Sequence, residues 1–175
     1  MSAPAGGIDL GESGIAPEGI ELRCSAVVFR AQAVLLVHRV IDGCDDWVLP
    51  GGTPRYGETM AACARREVLE ETGLSAEPTR IALVLEAIGP AAGQHTVDLV
   101  FAAREYGPPG PPEPREPGLR PAFIHVADLS ALNLRPGIAG HLRNAWANRL
   151  RSAPYLGNMW RPTAAAAARA SRAQR

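Results

Sequence analysis

The order of apolar runs predicts an α/β sandwich built on a mixed β-sheet. Two β-branched runs open the ordered part, and a single segment of helical period follows. Further strand-like runs then precede a second helical segment, so the chain reads strands, helix, strands, helix and not as a regular βαβ repeat. The sequence shows no internal repeat.

Glu21–Phe29 (ELRCSAVVF) and Ala33–Arg39 (AVLLVHR) are rich in β-branched and apolar residues, and the connection between them is short and polar. They are predicted to be consecutive strands. The stretch WVLPGG, Trp47–Gly52, ends a short strand in a proline and two glycines. Thr59–Thr72 then forms one helix, stopped by Gly73. Ile81–Gly89, Thr96–Tyr106 and Ala122–Val126 read as three more strands. Gly107–Pro121 carries seven prolines, which excludes a central strand or an unbroken helix and predicts a long exposed loop. In Ile138–Leu150, Leu142, Ala145, Trp146 and Leu150 recur at helical spacing and can cover a sheet face.

At 175 residues and 18.5 kDa the chain has the length of one domain. Its 18 basic residues, all arginine, are matched by 18 Asp and Glu. That balance excludes a strongly basic nucleic-acid coat, and no stable nucleic-acid complex is expected. Residues 1–19 hold three acids, no arginine and repeated Gly, Pro and Ser, and are expected to be a flexible leader. Residues 20–157 make the domain, and 158–175 a basic, alanine-rich tail. Cys24, Cys44 and Cys63 are too widely spaced for a disulfide framework or a metal knuckle, so reduced thiols and a cytoplasmic setting are expected. No signal sequence or run of about 18 apolar residues occurs, so no membrane partner is expected.

The chemistry concentrates in GTPRYGETMAACARREVLEETGL, Gly52–Leu74. On a helix, Glu67, Glu70 and Glu71 stand at i, i+3 and i+4, which puts their carboxylates on one side. Like charges so close require something positive among them. Hard divalent cations take oxygen ligands together with substrate phosphates, so the surface suits a magnesium-dependent phosphate reaction. A solvated acidic helix face is the plainer alternative. Arg66 either pairs with Glu70 at i, i+4 or orients a carboxylate from behind, and Glu58 either reaches the cluster or favours the positive helix N-terminus.

This segment resembles the signature of the Nudix hydrolase superfamily, whose members include MutT-like proteins. The pattern runs Gly52, five residues, Glu58, seven residues, Arg66-Glu67-Val68, one residue, Glu70-Glu71, one residue, Gly73-Leu74, with every fixed position present. The resemblance implies an α/β/α sandwich that hydrolyses a nucleoside diphosphate linked to another moiety, or a nucleoside triphosphate, with Mg²⁺ or Mn²⁺, so the expected partner is a small nucleotide or nucleotide-sugar substrate. By the same resemblance Glu67, Glu70 and Glu71 hold the metal, with Glu67 and Glu71 foremost. The carbonyl of Gly52 is a possible backbone ligand and Glu58 a supporting acid. Arg66 buttresses the glutamates, and Glu70 counts in the catalytic set as well as the metal set. Members of the family use different glutamates as general base, some on a distant loop; Glu113 and Glu116 of the proline-rich loop are the candidates, with Glu116 preferred.

For the rest of the substrate, Trp47 and Tyr56 flank the glycine loop as stacking candidates, and Arg39 and Arg55 as phosphate ligands. Phe29 and Phe101 default to core. The four histidines show no zinc spacing. A non-catalytic nucleotide-sensing or protein-interaction module on the same fold is the rival reading, and a homodimer is expected over a monomer.

Overall fold

The computed structural model describes residues 19–41, 43–90, 95–108, 110–151 and 154–162. Apart from Gly19 the predicted leader lies outside the described residues, as does the tail beyond Pro162. The described residues form eight strands: β1 (Glu21–Arg30), β2 (Ala33–Ile41), β3 (Cys44–Val48), β4 (Gly51–Gly52), β5 (Ser75–Ile88), β6 (His95–Tyr106), β7 (Arg120–His125) and β8 (Tyr155–Asn158). Helix α1 (Met60–Thr72) follows β4, and α2 (Ala139–Ala147) lies between β7 and β8, after one 3₁₀ turn at Asp128–Ala131.

The sheet is mixed, as predicted. Its order is β3-β2-β1-β6-β5-β8, with β4 added to β1 and β7 to β2. β1 runs parallel to β6 and β5 parallel to β8, while the other pairs are antiparallel. Strand alternation divides the core between two helices. Ala26 and Val28 of β1 and Ala103 of β6 meet Val68 of α1, and Cys24 and Phe101 meet Cys63 and Ala64. Val27, Val100, Leu83 and Leu85 point the other way, into a cluster closed by Ile138 and Leu142 beside α2. Burying each of these Leu or Ile side chains contributes about 1.5–3 kcal/mol.

Helix α1 begins and ends where its sequence dictates. The Thr59 hydroxyl accepts the Ala62 N–H at 3.1 Å, and Gly73 closes the helix with φ 70°, its N–H donating to the Leu69 carbonyl. The proline-rich loop is exposed but not loose against this helix. The N–H groups of Glu113 and Arg115 donate to the carbonyls of Thr72 (2.8 Å) and Glu70 (3.0 Å), satisfying helix-end acceptors.

The elements differ from the sequence expectation where pairing overrides local pattern. β5 starts at Ser75, not Ile81: SAEPTR has no apolar alternation, yet Ser75, Ala76 and Glu77 pair with Tyr106, Glu105 and Arg104 of β6. β7 includes Pro121, opposite Val37, on a strand that pairs with β2 alone, the edge setting in which a sheet tolerates proline. α2 stops at Ala147 because Arg149 and Leu150 take positive φ (50° and 55°). β8 carries no apolar run and reaches Asn158, with Met159 packed on the core.

Candidate active site

The Gly51–Gly52 pair brings the β1 edge and α1 within one residue's width of each other. A Cβ on Gly51 would collide with Ser25 Oγ, and one on Gly52 would lie 2.5 Å from Glu67 Oε1. Only glycine allows so close an approach. The Gly51 N–H donates to Glu71 Oε2 at 3.0 Å, so the backbone of β4 also fixes the second glutamate.

Arg66 sits in the middle of the acids. Its Nε and Nη2 donate to the two oxygens of Glu58, each at 2.9 Å, while Nη1 donates to Glu67 Oε1 and, at 3.0 Å, to Glu70 Oε2. Nη2 also reaches the Thr53 carbonyl at 3.3 Å. The guanidinium fork suits this task because it offers several donors in one plane. Glu58 is held far down, at about 2, first by the Arg66 hydrogen bonds and then by the Arg55 N–H. Glu70 is occupied on both sides, since Arg55 Nη2 donates to its Oε1 at 3.3 Å.

That leaves Glu67 Oε2 and Glu71 Oε1 without a hydrogen bond from the protein among the described residues. Glu71 forms no salt bridge there. Burial pushes its carboxyl up to about 7; the Gly51 N–H and Arg23 pull it back, while Glu67 and Glu116 push it further up. Of the two loop acids, Glu116 is therefore the one whose charge acts on the cluster. Glu113 lies at the far end of α1, its carbonyl against Gly73.

No three His, Cys, Asp or Glu side chains converge around one point among the described residues, because Arg66 draws Glu58, Glu67 and Glu70 onto itself. The donor chemistry nonetheless fits a hard cation: all the available atoms are oxygens, Glu67 Oε2 and Glu71 Oε1 are not taken up by protein donors, and Glu71 is a largely desolvated acid with no ion-pair partner among the described residues.

Beside the cluster a pocket of about 280 Å³ opens between the N-terminal end of β1, the β2–β3 hairpin and the segment after β8. Arg39 lines it, with its Nε buried and no hydrogen bond or salt bridge among the described residues. Burial and the neighbouring Arg23 lower its pKa, whereas Asp46 and Glu71 support its charge. Arg23 stands on the same wall, donating to Leu49 O at 3.3 Å and lying 3.6 Å from Asp98, which also accepts from Ser25 Oγ at 2.8 Å. Burial pushes the Asp98 carboxyl up, against the pull of Arg23 and Ser25.

Of the predicted substrate residues, Arg39 alone borders this pocket. Arg55 is tied to Glu70, Tyr56 is fully exposed, and Trp47 is half-buried on the core with its ring 5.0 Å from that of His38. Arg23, Asp98 and Trp160 line the pocket without belonging to any motif. The available signal for the first two is that they interrupt the apolar alternation of strands at inward positions.

The chain matches the NUDIX domain family over residues 21–145, more than two thirds of its length. It is 40% identical, over 75 residues, to a human protein described as the 8-oxo-dGDP phosphatase NUDT18. That stretch makes up 42% of this chain and 22% of the human protein, so the chain covers less than a quarter of its relative. Among solved structures, a MutT NUDIX hydrolase from Burkholderia pseudomallei is 26% identical with a TM-score of 0.56, covering 63% of this chain and 86% of that one. A NUDIX hydrolase from Nitrosomonas europaea shares the fold at 21% identity, with a TM-score of 0.65 over 76% of this chain and 92% of the other. With the whole Gly52–Leu74 pattern folded into one glycine-loop and helix unit, the chain belongs to the Nudix hydrolase superfamily.

Proposed function

We propose that the protein hydrolyses the diphosphate linkage of a nucleoside diphosphate derivative or nucleoside triphosphate in a reaction that depends on a divalent cation. The observation that carries this is the pair of carboxylate oxygens on Glu67 and Glu71 that take no protein hydrogen bond among the described residues, held against Gly51 and Gly52 by a frame that Arg66 completes. Glu67, Glu71 and the Gly52 carbonyl would hold the ion, with Glu58 and Glu70 in support. A bound Mg²⁺ or Mn²⁺ supplies Lewis-acid neutralisation of the diphosphate and makes water more acidic. Arg66 orients the glutamates, and Arg39 binds a phosphate that completes its missing ion pair.

Glu116 accepts a proton from the attacking water as the water oxygen bonds to one phosphorus of the anhydride and the bridging P–O bond breaks, which separates a nucleoside monophosphate from the phosphorylated second product, or from pyrophosphate where the substrate is a triphosphate. The name of the human relative makes an oxidised deoxyguanosine diphosphate one candidate within this substrate class.

The test is a panel of nucleoside diphosphate derivatives and triphosphates with Mg²⁺ or Mn²⁺, each repeated with chelator. Metal-dependent release of a nucleoside monophosphate is the expected result. Tight nucleotide binding without turnover across the panel supports the non-catalytic reading instead. On the substrate that turns over, Glu116→Gln is expected to lower kcat roughly 10²-fold, while Glu113→Gln stays within about twofold of the parent. Equal kinetics for the two variants overturn the choice of Glu116.

A further inference from the structure

The pocket next to the glutamates is closed on one side by a part of the chain that lies outside the span matched by the family model. That match spans residues 21–145, whereas Met159, Trp160 and Arg161 line the cavity. This segment is fastened in place. β8 pairs in parallel with β5, the Met159 N–H donates to the Glu86 carbonyl at 2.8 Å, and Asn158 Oδ1 accepts the N–H groups of Ile88 and Trp160, each at 3.0 Å. Arg161 packs so tightly on Gly137 that a Cβ there would lie 2.7 Å from its Nε.

The pocket has a polar end and an apolar end. Arg23 Nε donates to Ser25 Oγ at 3.2 Å, Ser25 stands opposite Gly51 in the β1–β4 ladder, and the Gly51 N–H donates to Glu71, so the cationic end adjoins the glutamates. β6 and β5 follow β1 at strand spacings of about 5 and 10 Å. On β5 the floor becomes Leu85 and Ala87, and Trp160 lies over this side, half-buried. A diphosphate at the cationic end thus directs the remainder of a nucleotide across the sheet toward an apolar floor and an indole. The cavity, about 280 Å³, is near the lower limit for small-molecule sites, which matches one nucleoside and not two.

We propose that Trp160 is the stacking wall for the nucleobase, which makes the segment after β8 a specificity element of this chain. The direction of the substrate rests on the hydrolase reading above, but the pocket can be probed without turnover.

Calorimetric binding in chelator compares purine nucleoside 5′-monophosphates with ribose 5-phosphate, which lacks the base, in the parent protein, Trp160→Ala and Trp160→Phe. The parent is expected to prefer the nucleotides. Trp160→Ala should lose roughly ten- to hundredfold of nucleotide affinity, leave ribose 5-phosphate unchanged and keep its melting temperature within a few degrees. Trp160→Phe should restore most of the loss. Equal weakening of both ligands, no weakening of either, or no nucleotide binding by the parent up to millimolar concentration each overturns the proposal. If the substrate panel shows no hydrolysis while the Trp160-dependent preference persists, the hydrolase reading falls and the base pocket stands.

Discussion

Glu71→Gln is expected to abolish most activity and, at the same time, to make the metal-free protein more stable above neutral pH. The carboxyl of Glu71 is desolvated and lies near Glu67 and Glu116 with no ion pair among the described residues, so its folded-state value is about 7 against an ordinary 4.5. Because the folded value is the higher one, the folded chain holds its proton more tightly than the unfolded chain. The corresponding stability is fully present below about 4.5 and is lost as pH rises to about 7. Glutamine keeps an oxygen for the Gly51 N–H and removes the charge. At pH 8 in chelator the variant should therefore gain up to about 3 kcal/mol, seen as a higher melting temperature, whereas at pH 4.5 the two proteins should melt together. With Mg²⁺ present the order changes: the ion stabilises the parent by mass action and the variant much less. Turnover should fall roughly 10²- to 10⁴-fold. A lower melting temperature for the variant at pH 8 without metal, or retained turnover, contradicts this account of Glu71.

The same residue shows why the candidate site could be read so far from sequence. Fixed spacing on one helix places Glu67, Glu70 and Glu71 together before any tertiary contact is known, and Gly51-Gly52 announces a close backbone approach. Local pattern carries no information about which oxygens remain free. That depends on Arg66 and Arg55 taking up Glu58 and Glu70, and on the buried position of Glu71. The fold divides in a similar way. β1, β2, β6 and α1 have apolar periodicity or caps of their own, and their positions follow from it. The first part of β5 and all of β8 are strands only because a neighbour offers unpaired backbone groups, so a reading of intrinsic propensity passes over them. Since β8 leads directly into Met159–Arg161, the same limit hid one wall of the pocket.

Arg66 supplies the largest expected structural effect, because one guanidinium offsets three carboxylates. Each of its partners is at least two-thirds buried, with side-chain exposures of 14% for Glu58, 12% for Glu67 and 32% for Glu70, so water replaces the lost contacts poorly. Arg66→Ala should cost more than the ~1 kcal/mol of an exposed pair and approach the ~3–5 kcal/mol of a buried one. The loss should also depend on pH. Glu58, held at about 2 by Arg66, contributes stability that is complete above 4.5 and disappears as pH falls toward 2. Without the arginine that acid-side decline is largely removed, and parent and variant should converge in melting temperature toward pH 2. Divalent cation should recover part of the lost stability at pH 7, since the released glutamate oxygens need positive charge, while kcat stays about 10- to 100-fold down because the ligands are no longer oriented. Arg66→Lys separates charge from geometry. An ammonium restores one positive charge but cannot donate through both Nε and Nη2 to Glu58 while also reaching Glu67 and Glu70, so kcat should remain close to that of Arg66→Ala. If lysine instead returns both melting temperature and kcat to parental values, charge alone suffices at this position and the orienting role assigned to the guanidinium fork is wrong.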